Sequence, residues 1–297
     1  MASNELKSVV EMLRGIVANP KATVQDQRAA FETSMGMMAP PPDTRVTPVT
    51  VDGVAAEWVE APSARASHAI LYLHGGGYVI GSPRTHRALA GKLSETAKAR
   101  VLVIDYRMAP ENPFPAAVDD AVKAYKWLLA QGIAASNLAI SGDSAGGGLT
   151  LATSVALRDG DVSLPRALAM LSPWTDLTGN SETMKTRADK DPMVQKDGLM
   201  GMAALYLNGR DAKTPLASPL FADLRGLPPM LVQVGDHETL LDDSRTLEKN
   251  ARAAGVDVTL EVWDEMIHVW QLFHPILPEG VQALERIGEY LRGKWGG

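Results

Sequence analysis

The chain has 297 residues, of which 45% are hydrophobic and 22% charged, with a formal net charge of −6 and a pI near 5.6. This composition predicts a globular protein with one large core or two small ones, and the acidic balance argues against nucleic acid as a partner. The absence of cysteine excludes disulfides, thiolate metal sites and a cysteine nucleophile.

The first residues are polar and charged, and no run approaches the roughly 18 apolar residues of a membrane span. We therefore expect a soluble, cytoplasmic protein with no membrane partner.

Two amphipathic stretches open the chain. The first has apolar residues at three- and four-residue spacing before Asn19-Pro20, which predicts a helix carrying Leu6, Val9, Val10, Leu13 and Val17. A second helix is predicted from Thr23 to Met38. We interpret residues 1–45 as a helical cap region whose Phe31, Met35 and Met38 contact a ligand. Ordinary packing is the alternative for such a methionine-rich face.

From residue 45 the periodicity becomes that of strands. Residues 46–51 and 54–59, joined by Asp52-Gly53, predict an antiparallel hairpin. Apolar strands then alternate with predicted helices, the strands at 69–73, 101–105, 138–141, 167–171, 230–234 and 258–263 and the helices at 85–97, 116–129, after Ser144, 244–254 and 279–292. The pattern indicates an α/β fold with an eight-stranded, mostly parallel sheet that has helices on both faces.

The interval between residues 171 and 230 is longer than a single crossover requires. It contains a polar run from Asp176 to Asp191 and a predicted helix from Lys196 to Leu207. We expect an insertion at about 176–212 to lie over the carboxyl edge of the sheet and to cover a substrate. Trp174 and Leu205 are further candidate walls of that pocket.

The strongest chemical signal is Gly142-Asp-Ser-Ala-Gly146, which stands between an apolar strand and an alanine-rich helix. In such a strand–turn–helix, glycines two before and two after the serine let strand and helix pack with no Cβ between them. The Ser144 hydroxyl then lies at a helix N-terminus, where amides and macrodipole favour negative charge. A Gly/Ser-rich connection is the alternative, but the flanking strand and helix favour a nucleophile.

A second motif, His74-Gly-Gly-Gly77, follows the strand at 69–73. Consecutive glycines let the backbone approach a ligand and turn N–H groups inward, as an oxyanion hole requires. We expect Gly75, Gly76 and Ala145 to donate these N–H groups. For Gly77 two roles remain open, either a further N–H donor or a residue that the turn itself requires. The motif does not match a dinucleotide-binding loop, because Ile80 stands where that loop needs its third glycine. His74 itself is interpreted as structural.

A nucleophilic serine needs a base, and the base needs an orienting acid. In an α/β-hydrolase the order along the chain is serine, acid, histidine. His268 follows the last strand and is predicted to be the base, in preference to His237 and His274. The acid is expected in the loop after residues 230–234, where four carboxylates compete, those of Asp236, Glu238, Asp242 and Asp243.

Taken together, these motifs resemble the bacterial hormone-sensitive-lipase-like esterases. The resemblance extends from about residue 69 to 269 and rests on His74-Gly-Gly-Gly, Tyr106-Arg-Met-Ala-Pro-Glu111 with Pro113-Phe-Pro-Ala-Ala117, Gly142-Asp-Ser-Ala-Gly146 and the late histidine. It implies an α/β-hydrolase fold in which residues 46–297 form the catalytic domain beneath an N-terminal helical cap. It also implies no cofactor and hydrolysis of small-molecule esters with short to medium acyl chains. Such enzymes often pair through their last strand, which makes a homodimer plausible.

The acid loop departs from the family pattern. The family usually has Asp-Pro-Leu-x-Asp-Glu, whereas this chain has Glu238-Thr-Leu-Leu-Asp-Asp243. Aligning Leu240 and Asp242 with their family counterparts places Glu238 in the acid position, with a side chain one methylene longer. The prediction is a Ser144–Glu238–His268 triad without a metal, and Asp236 is the main rival for the acid.

Two other functions remain open at this point. Plant gibberellin receptors resemble the same family and bind a ligand without hydrolysing it, having lost the histidine, which is present here as His268. Amide, lactone or thioester hydrolysis is also open, because fold and motifs do not determine the leaving group.

Overall fold

The computed structural model describes residues 3–15 and 22–296 of the chain. Val17 and Asn19-Pro20, which enter the prediction for the first helix, lie outside these ranges. In chain order the strands are β1 (Arg45–Val51), β2 (Val54–Glu60), β3 (Arg65–Leu73), β4 (Ala99–Ile104), β5 (Leu138–Asp143), β6 (Ala167–Leu171), β7 (Met230–Gly235) and β8 (Val258–Trp263).

The described α-helices lie before, between and after these strands. They are α1 (Asn4–Arg14), α2 (Val24–Met35), α3 (Pro83–Ala97), α4 (Ala116–Ala130), α5 (Ala145–Asp159), α6 (Thr183–Thr186), α7 (Lys196–Leu207), α8 (Leu241–Ala253) and α9 (Pro278–Lys294). Short 3-10 turns occur at Ala135–Asn137, Pro219–Phe221 and Trp270–Phe273. Among the described helices, none is both long and apolar enough to cross a membrane.

The eight strands form one sheet in the order β1-β2-β4-β3-β5-β6-β7-β8. The β1–β2 hairpin and the β2–β4 pair are antiparallel, and the other neighbouring strands are parallel. The predicted fold class, an eight-stranded mostly parallel sheet with helices, is therefore confirmed.

Alternate side chains of the central strands enter two separate cores, one on each face of the sheet. In β3, Ile70 and Tyr72 pack on the face covered by α3 and α9, whereas Leu71 and Leu73 pack on the face covered by α4, α5 and α8. Because both faces are buried, the central strands are almost continuously apolar, which is why they were recognisable in the sequence.

The predicted helices differ from the observed ones at their ends, and one short helix was not predicted. The second helix ends at Met35 and not at Met38, because the chain turns at Gly36. The helix α8 begins at Leu241, three residues before the predicted start, and the short helix α6 was not predicted. A four-residue helix in a polar segment leaves no periodicity to detect.

Two contacts join the helices outside the sheet layers to the loops that follow β3 and β4. Arg28 of α2 donates to the carbonyls of Val79 and Ala109, both at 2.8 Å, and pairs with Glu111. Tyr206 of α7 stacks on Tyr78, with ring centroids 3.8 Å apart and an interplanar angle of 4°. Both helices are thereby held over the carboxyl edge of the sheet.

The contact between α3 and α9 depends on a glycine. A Cβ at Gly288 would overlap the backbone of Thr96, whereas a Cβ at Gly293, nearer the C-terminal end of α9, would meet no heavy atom within 4 Å. We expect Gly288→Ala to lower the free energy of unfolding by about 1–3 kcal/mol, because the helices must separate. Gly293→Ala should leave it unchanged or raise it by up to about 1 kcal/mol, because alanine favours a helix. Urea denaturation of the two variants measures both values, and equal effects would contradict this account of the contact.

Candidate active site

The loops after β3, β5, β7 and β8 meet at one edge of the sheet, because parallel strands bring their carboxyl ends together. A cavity of about 640 Å³ opens at this edge. Ser144, His268, Gly76 and Gly77 all line it, although they come from three separate loops.

Ser144 stands at the turn between β5 and α5 with a strained backbone, at φ 52° and ψ −120°. Its N–H donates to the carbonyl of Leu171 at 2.9 Å, and its carbonyl accepts from the N–H of Trp174 at 2.8 Å. The turn is flanked by glycines for a steric reason, because a Cβ at Gly142 or at Gly146 would overlap the carbonyl of Leu73. The end of β3 can therefore approach the turn closely, and the serine remains 8% exposed.

Glu238 and His268 form a buried pair, and His268 lines the same cavity as Ser144. The Nδ1 of His268 lies 2.9 Å from Oε2 of Glu238, and the glutamate is completely buried. The other carboxylate oxygen, Oε1, accepts from the N–H of Gly235 at 2.6 Å and from the hydroxyl of Ser172 at 2.7 Å. Ser172 also accepts from the N–H of Val269 at 3.1 Å, so the residue after the histidine is tied to the same group. Glu238 thereby holds the imidazole of His268, and Ser172 holds the backbone of the next residue.

The electrostatics of this pair make the histidine more basic. Burial by itself would lower the pKa of His268, but the hydrogen bond and the charge of Glu238 outweigh it, and the pKa is raised above its ordinary value. Burial also raises the pKa of Glu238, against the opposing effects of His268 and Ser172. The pair thus combines a desolvated acid with an imidazole that readily accepts a proton.

The other carboxylates of the acid loop are engaged elsewhere. Asp236 pairs with Arg187 at 3.1 Å. Asp242 accepts from the N–H of Thr183, and Asp243 accepts from the N–H groups of Thr175 and Asp176. Of the four carboxylates that compete in the sequence, Glu238 is the one in contact with His268.

The structure corrects the expected set of oxyanion donors at Gly75. The N–H of Gly75 donates to Oδ1 of Asp143 at 3.0 Å and is therefore already used. Gly76 and Gly77 have φ values of +112° and +63° and line the cavity. Within the described ranges, no backbone carbonyl accepts from either of their N–H groups. Ala145, the first residue of α5, adds an N–H next to the serine.

Asp143 is a site residue that the sequence reasoning missed, although it lies inside the serine motif. Its Oδ1 accepts from the Tyr72 hydroxyl at 2.8 Å as well as from Gly75, and Nε2 of His86 lies 3.3 Å away. Burial would raise the pKa of Asp143, but His86 and Tyr72 outweigh this and lower it. A Cβ at Gly75 would overlap this carboxylate, so the position requires glycine for steric reasons.

Some of the residues predicted as pocket walls line this cavity and others do not. Phe31 and Met35 line the cavity, whereas Met38, Trp174 and Leu205 do not. Met38 lies beyond the end of α2, Trp174 is fully buried against Tyr78, and Leu205 lies near the C-terminal end of α7 beyond the cavity. Other apolar residues complete the wall, namely Leu13, Ile80, Met193, Val194, Leu199, Met202 and Leu272.

Besides His86, two further histidines, His74 and His274, are buried and do not line the cavity. His74 stacks on Tyr106 at 4.2 Å, and burial lowers its pKa to about 3. Burial lowers the pKa of His274 to about 4. Both side chains are neutral at physiological pH and serve packing. Across residues 3–15 and 22–296, no three His, Asp or Glu side chains are grouped so that they could hold a metal ion.

Comparison with known proteins places this arrangement among hydrolases. A family model described as the alpha/beta hydrolase fold matches residues 70–272. The acetyl-hydrolase of Streptomyces hygroscopicus is 45% identical over 296 residues, which cover 98% of this chain and 97% of the relative. An esterase structure from the bacterial hormone-sensitive lipase family is 54% identical, with a TM-score of 0.97 and 100% of both chains covered. A crystal structure of EstE5 soaked with p-nitrophenyl butyrate is 51% identical, with a TM-score of 0.96 and the same coverage.

The His268–Glu238 contact predicts a change in titration that can be measured without substrate. Glu238→Gln should lower the pKa of His268, because the charge that raises it is lost while burial remains. Asp236→Asn is the matched control and should leave that pKa unchanged, because Asp236 pairs with Arg187. NMR titration of the imidazole in the three proteins measures the effect. An equal fall in both variants would show that the loop responds as a whole and not through this contact.

Proposed function

The chain belongs to the alpha/beta hydrolase fold family, among the bacterial hormone-sensitive-lipase-like esterases, and we propose that it is a serine carboxylesterase acting on short to medium acyl chains. The observation that carries the proposal is the convergence of Ser144, His268, Gly76 and Gly77 on one apolar cavity. In the part of the chain that the structure describes, no backbone carbonyl accepts from the N–H groups of these two glycines. Glu238 lies directly behind the histidine.

In the first half of the reaction, Oγ of Ser144 attacks the ester carbonyl carbon and its proton passes to Nε2 of His268. The histidine then gives this proton to the alcohol oxygen as the carbon–oxygen bond breaks. The alcohol leaves, and an acyl group remains on Ser144. In the second half, water attacks the acyl carbon by the same route, the histidine returns the proton to Ser144, and the carboxylic acid is released.

The oxyanion of each tetrahedral intermediate would accept hydrogen bonds from Gly76, Gly77 and Ala145. Backbone N–H groups held by strained turns need no reorganisation when charge develops, and each such donor typically contributes on the order of 10²- to 10³-fold in rate. The hydrogen bond from Gly75 to Asp143 supports this assignment, because it uses the N–H of Gly75, whereas the next two residues, Gly76 and Gly77, line the cavity.

Glu238 would orient the imidazole and stabilise its charged form. Complete burial strengthens this interaction, because no water competes for the carboxylate. The hydrogen bonds from Gly235 and Ser172 both go to Oε1 and restrict the glutamate side chain, which has one more rotatable bond than aspartate.

The cavity walls support a preference for short acyl chains, and α1, α2 and the segment with α7 would act as the cap. The cavity of about 640 Å³ is lined by apolar side chains of all three helices, including Leu13, Phe31 and Leu199. The Streptomyces relative is an acetyl-hydrolase, and the EstE5 crystals were soaked with a butyrate ester. An apolar pocket rewards each added methylene by about 0.8 kcal/mol until it is full.

Removal of the nucleophile tests the proposal directly. Ser144→Ala should reduce kcat for p-nitrophenyl butyrate by on the order of 10⁴- to 10⁶-fold without unfolding the protein. Ser141→Ala is the matched control, since Ser141 is a buried serine of β5, the strand that leads into the Ser144 turn, and does not line the cavity. A fluorophosphonate probe should label the native protein and the control but not Ser144→Ala. Near-native turnover by Ser144→Ala, or a native protein that does not react with the probe, would contradict the proposal.

The chain-length preference is a separate prediction. Across p-nitrophenyl esters from acetate to palmitate, kcat/KM should rise over the first members and then fall as the acyl chain exceeds the cavity. Steady-state kinetics on the series measures the position of the maximum. Faster turnover of long-chain triglyceride emulsions than of soluble short esters would show that the cavity does not limit the acyl chain.

A further inference from the structure

We propose that Gly198, on α7, sets the size of the alcohol portion of the ester, and that the preferred substrates combine a short acyl group with a bulky alcohol. This inference rests on the proposed esterase function and deepens it. It follows from the direction in which α7 crosses the cavity and from the space beside one of its glycines.

The N-terminal end of α7 lies on the histidine side of the cavity. Asp191 lies in the segment that leads into α7, and it holds this segment against the loop after β7, because its Oδ2 accepts from the N–H of Thr239 at 3.0 Å. The hydroxyl of Thr239 also donates to the carbonyl of Val194 at 3.3 Å. Thr239 is the neighbour of Glu238, which holds His268, so α7 starts close to the acid–base pair.

The second half of α7 lies on the oxyanion side. A Cβ at Gly77 would overlap the sulfur of Met202, so this methionine packs directly on the glycine loop. One turn further, Tyr206 stacks on Tyr78 of the same loop. The helix therefore crosses from the histidine to the oxyanion donors, and Gly198 precedes Met202 by about 6 Å along the axis.

Gly198 leaves space that no packing constraint requires. It lines the cavity with Leu199 and Met202, yet a Cβ built on it would meet no heavy atom within 4 Å. At Gly77 and Gly146, in contrast, a Cβ would collide with neighbouring atoms. Glycine is also the least favourable residue in a helix apart from proline. Gly201 of the same helix has equally free space but does not line the cavity, so what distinguishes Gly198 is that its free space belongs to the cavity that His268 also lines.

The chemistry identifies which part of the substrate occupies that space. His268 gives its proton to the alcohol oxygen when the ester bond breaks, so the alcohol must lie on the histidine side of the carbonyl carbon. The acyl chain then points away from His268. Since Gly198 lies near the histidine end of α7, the group beside it is the alcohol, and a side chain at this position would displace it.

Two ester series separate this inference from its alternatives. One series keeps a butyryl group and enlarges the alcohol from methyl to hexyl and naphthyl, and the other keeps a methyl alcohol and lengthens the acyl chain. In Gly198→Leu, kcat/KM should fall by about tenfold or more for the large alcohols relative to methyl butyrate. The dependence on acyl length should not change. Gly198→Ala should show a smaller shift in the same direction, and it serves as the test if Gly198→Leu does not fold.

The matched control is Gly201→Leu. Gly201 belongs to the same helix and also has no heavy atom within 4 Å of a built Cβ, but it does not line the cavity. Its variant should keep the native selectivity for both series. Equal loss in Gly198→Leu and Gly201→Leu, a change confined to the acyl series, or no change at all would overturn the inference. A wild-type protein that hydrolyses neither series would instead overturn the proposed function.

Discussion

Buried carboxylates hold the loops at the carboxyl edge of the sheet, and the shape of the cavity depends on them. A carboxylate removed from water must be satisfied by hydrogen bonds or by an opposite charge, so each one constrains the backbone around it. Asp143 accepts a hydrogen bond from the N–H of Gly75, and Asp191 accepts one from that of Thr239. Asp243 accepts hydrogen bonds from the N–H groups of Thr175 and Asp176.

Each of these carboxylates connects segments that are distant in sequence. Glu238 joins the loop after β7 to Ser172 and to His268, which follow two other strands. Burial raises the pKa of Asp243 to about 7, whereas the pKa of Asp143 is lowered because His86 and Tyr72 face it. The same desolvation therefore has opposite outcomes, because His86 and Tyr72 outweigh it at Asp143, whereas the hydrogen bonds from Thr175 and Asp176 do not outweigh it at Asp243.

Close backbone approach is the second constraint, and it explains why the motifs contain so many glycines. Gly142 and Gly146 allow the turn that carries Ser144 to pack against the end of β3, and Gly75 makes room for Asp143. Gly77 does the same for Met202 on α7. The glycines thus allow three layers, the serine turn, the glycine loop and α7, to lie in direct contact around one cavity.

Much of this protein was determined locally and could be predicted from the sequence. The continuous apolar strands and the 3.6-residue periodicity between them indicated the eight-stranded α/β fold, because strands buried on both faces have no polar alternation. The position of Ser144 followed from the strand, the tight turn and the helix around it. The choice of Glu238 among four carboxylates came instead from the family resemblance, by aligning Leu240 and Asp242 with the family pattern, and in the structure Glu238 contacts His268.

The tertiary structure alone decided which groups face the cavity. Gly75 and Gly77 are equivalent in the sequence, but the N–H of Gly75 is taken by Asp143, a contact across 68 residues that no local pattern encodes. Likewise, Met35 lines the cavity and Trp174 does not, although both are apolar, because the tryptophan is buried against Tyr78. Local periodicity determines which residues avoid water, whereas the direction of an amide or a side chain depends on what distant segments place beside it.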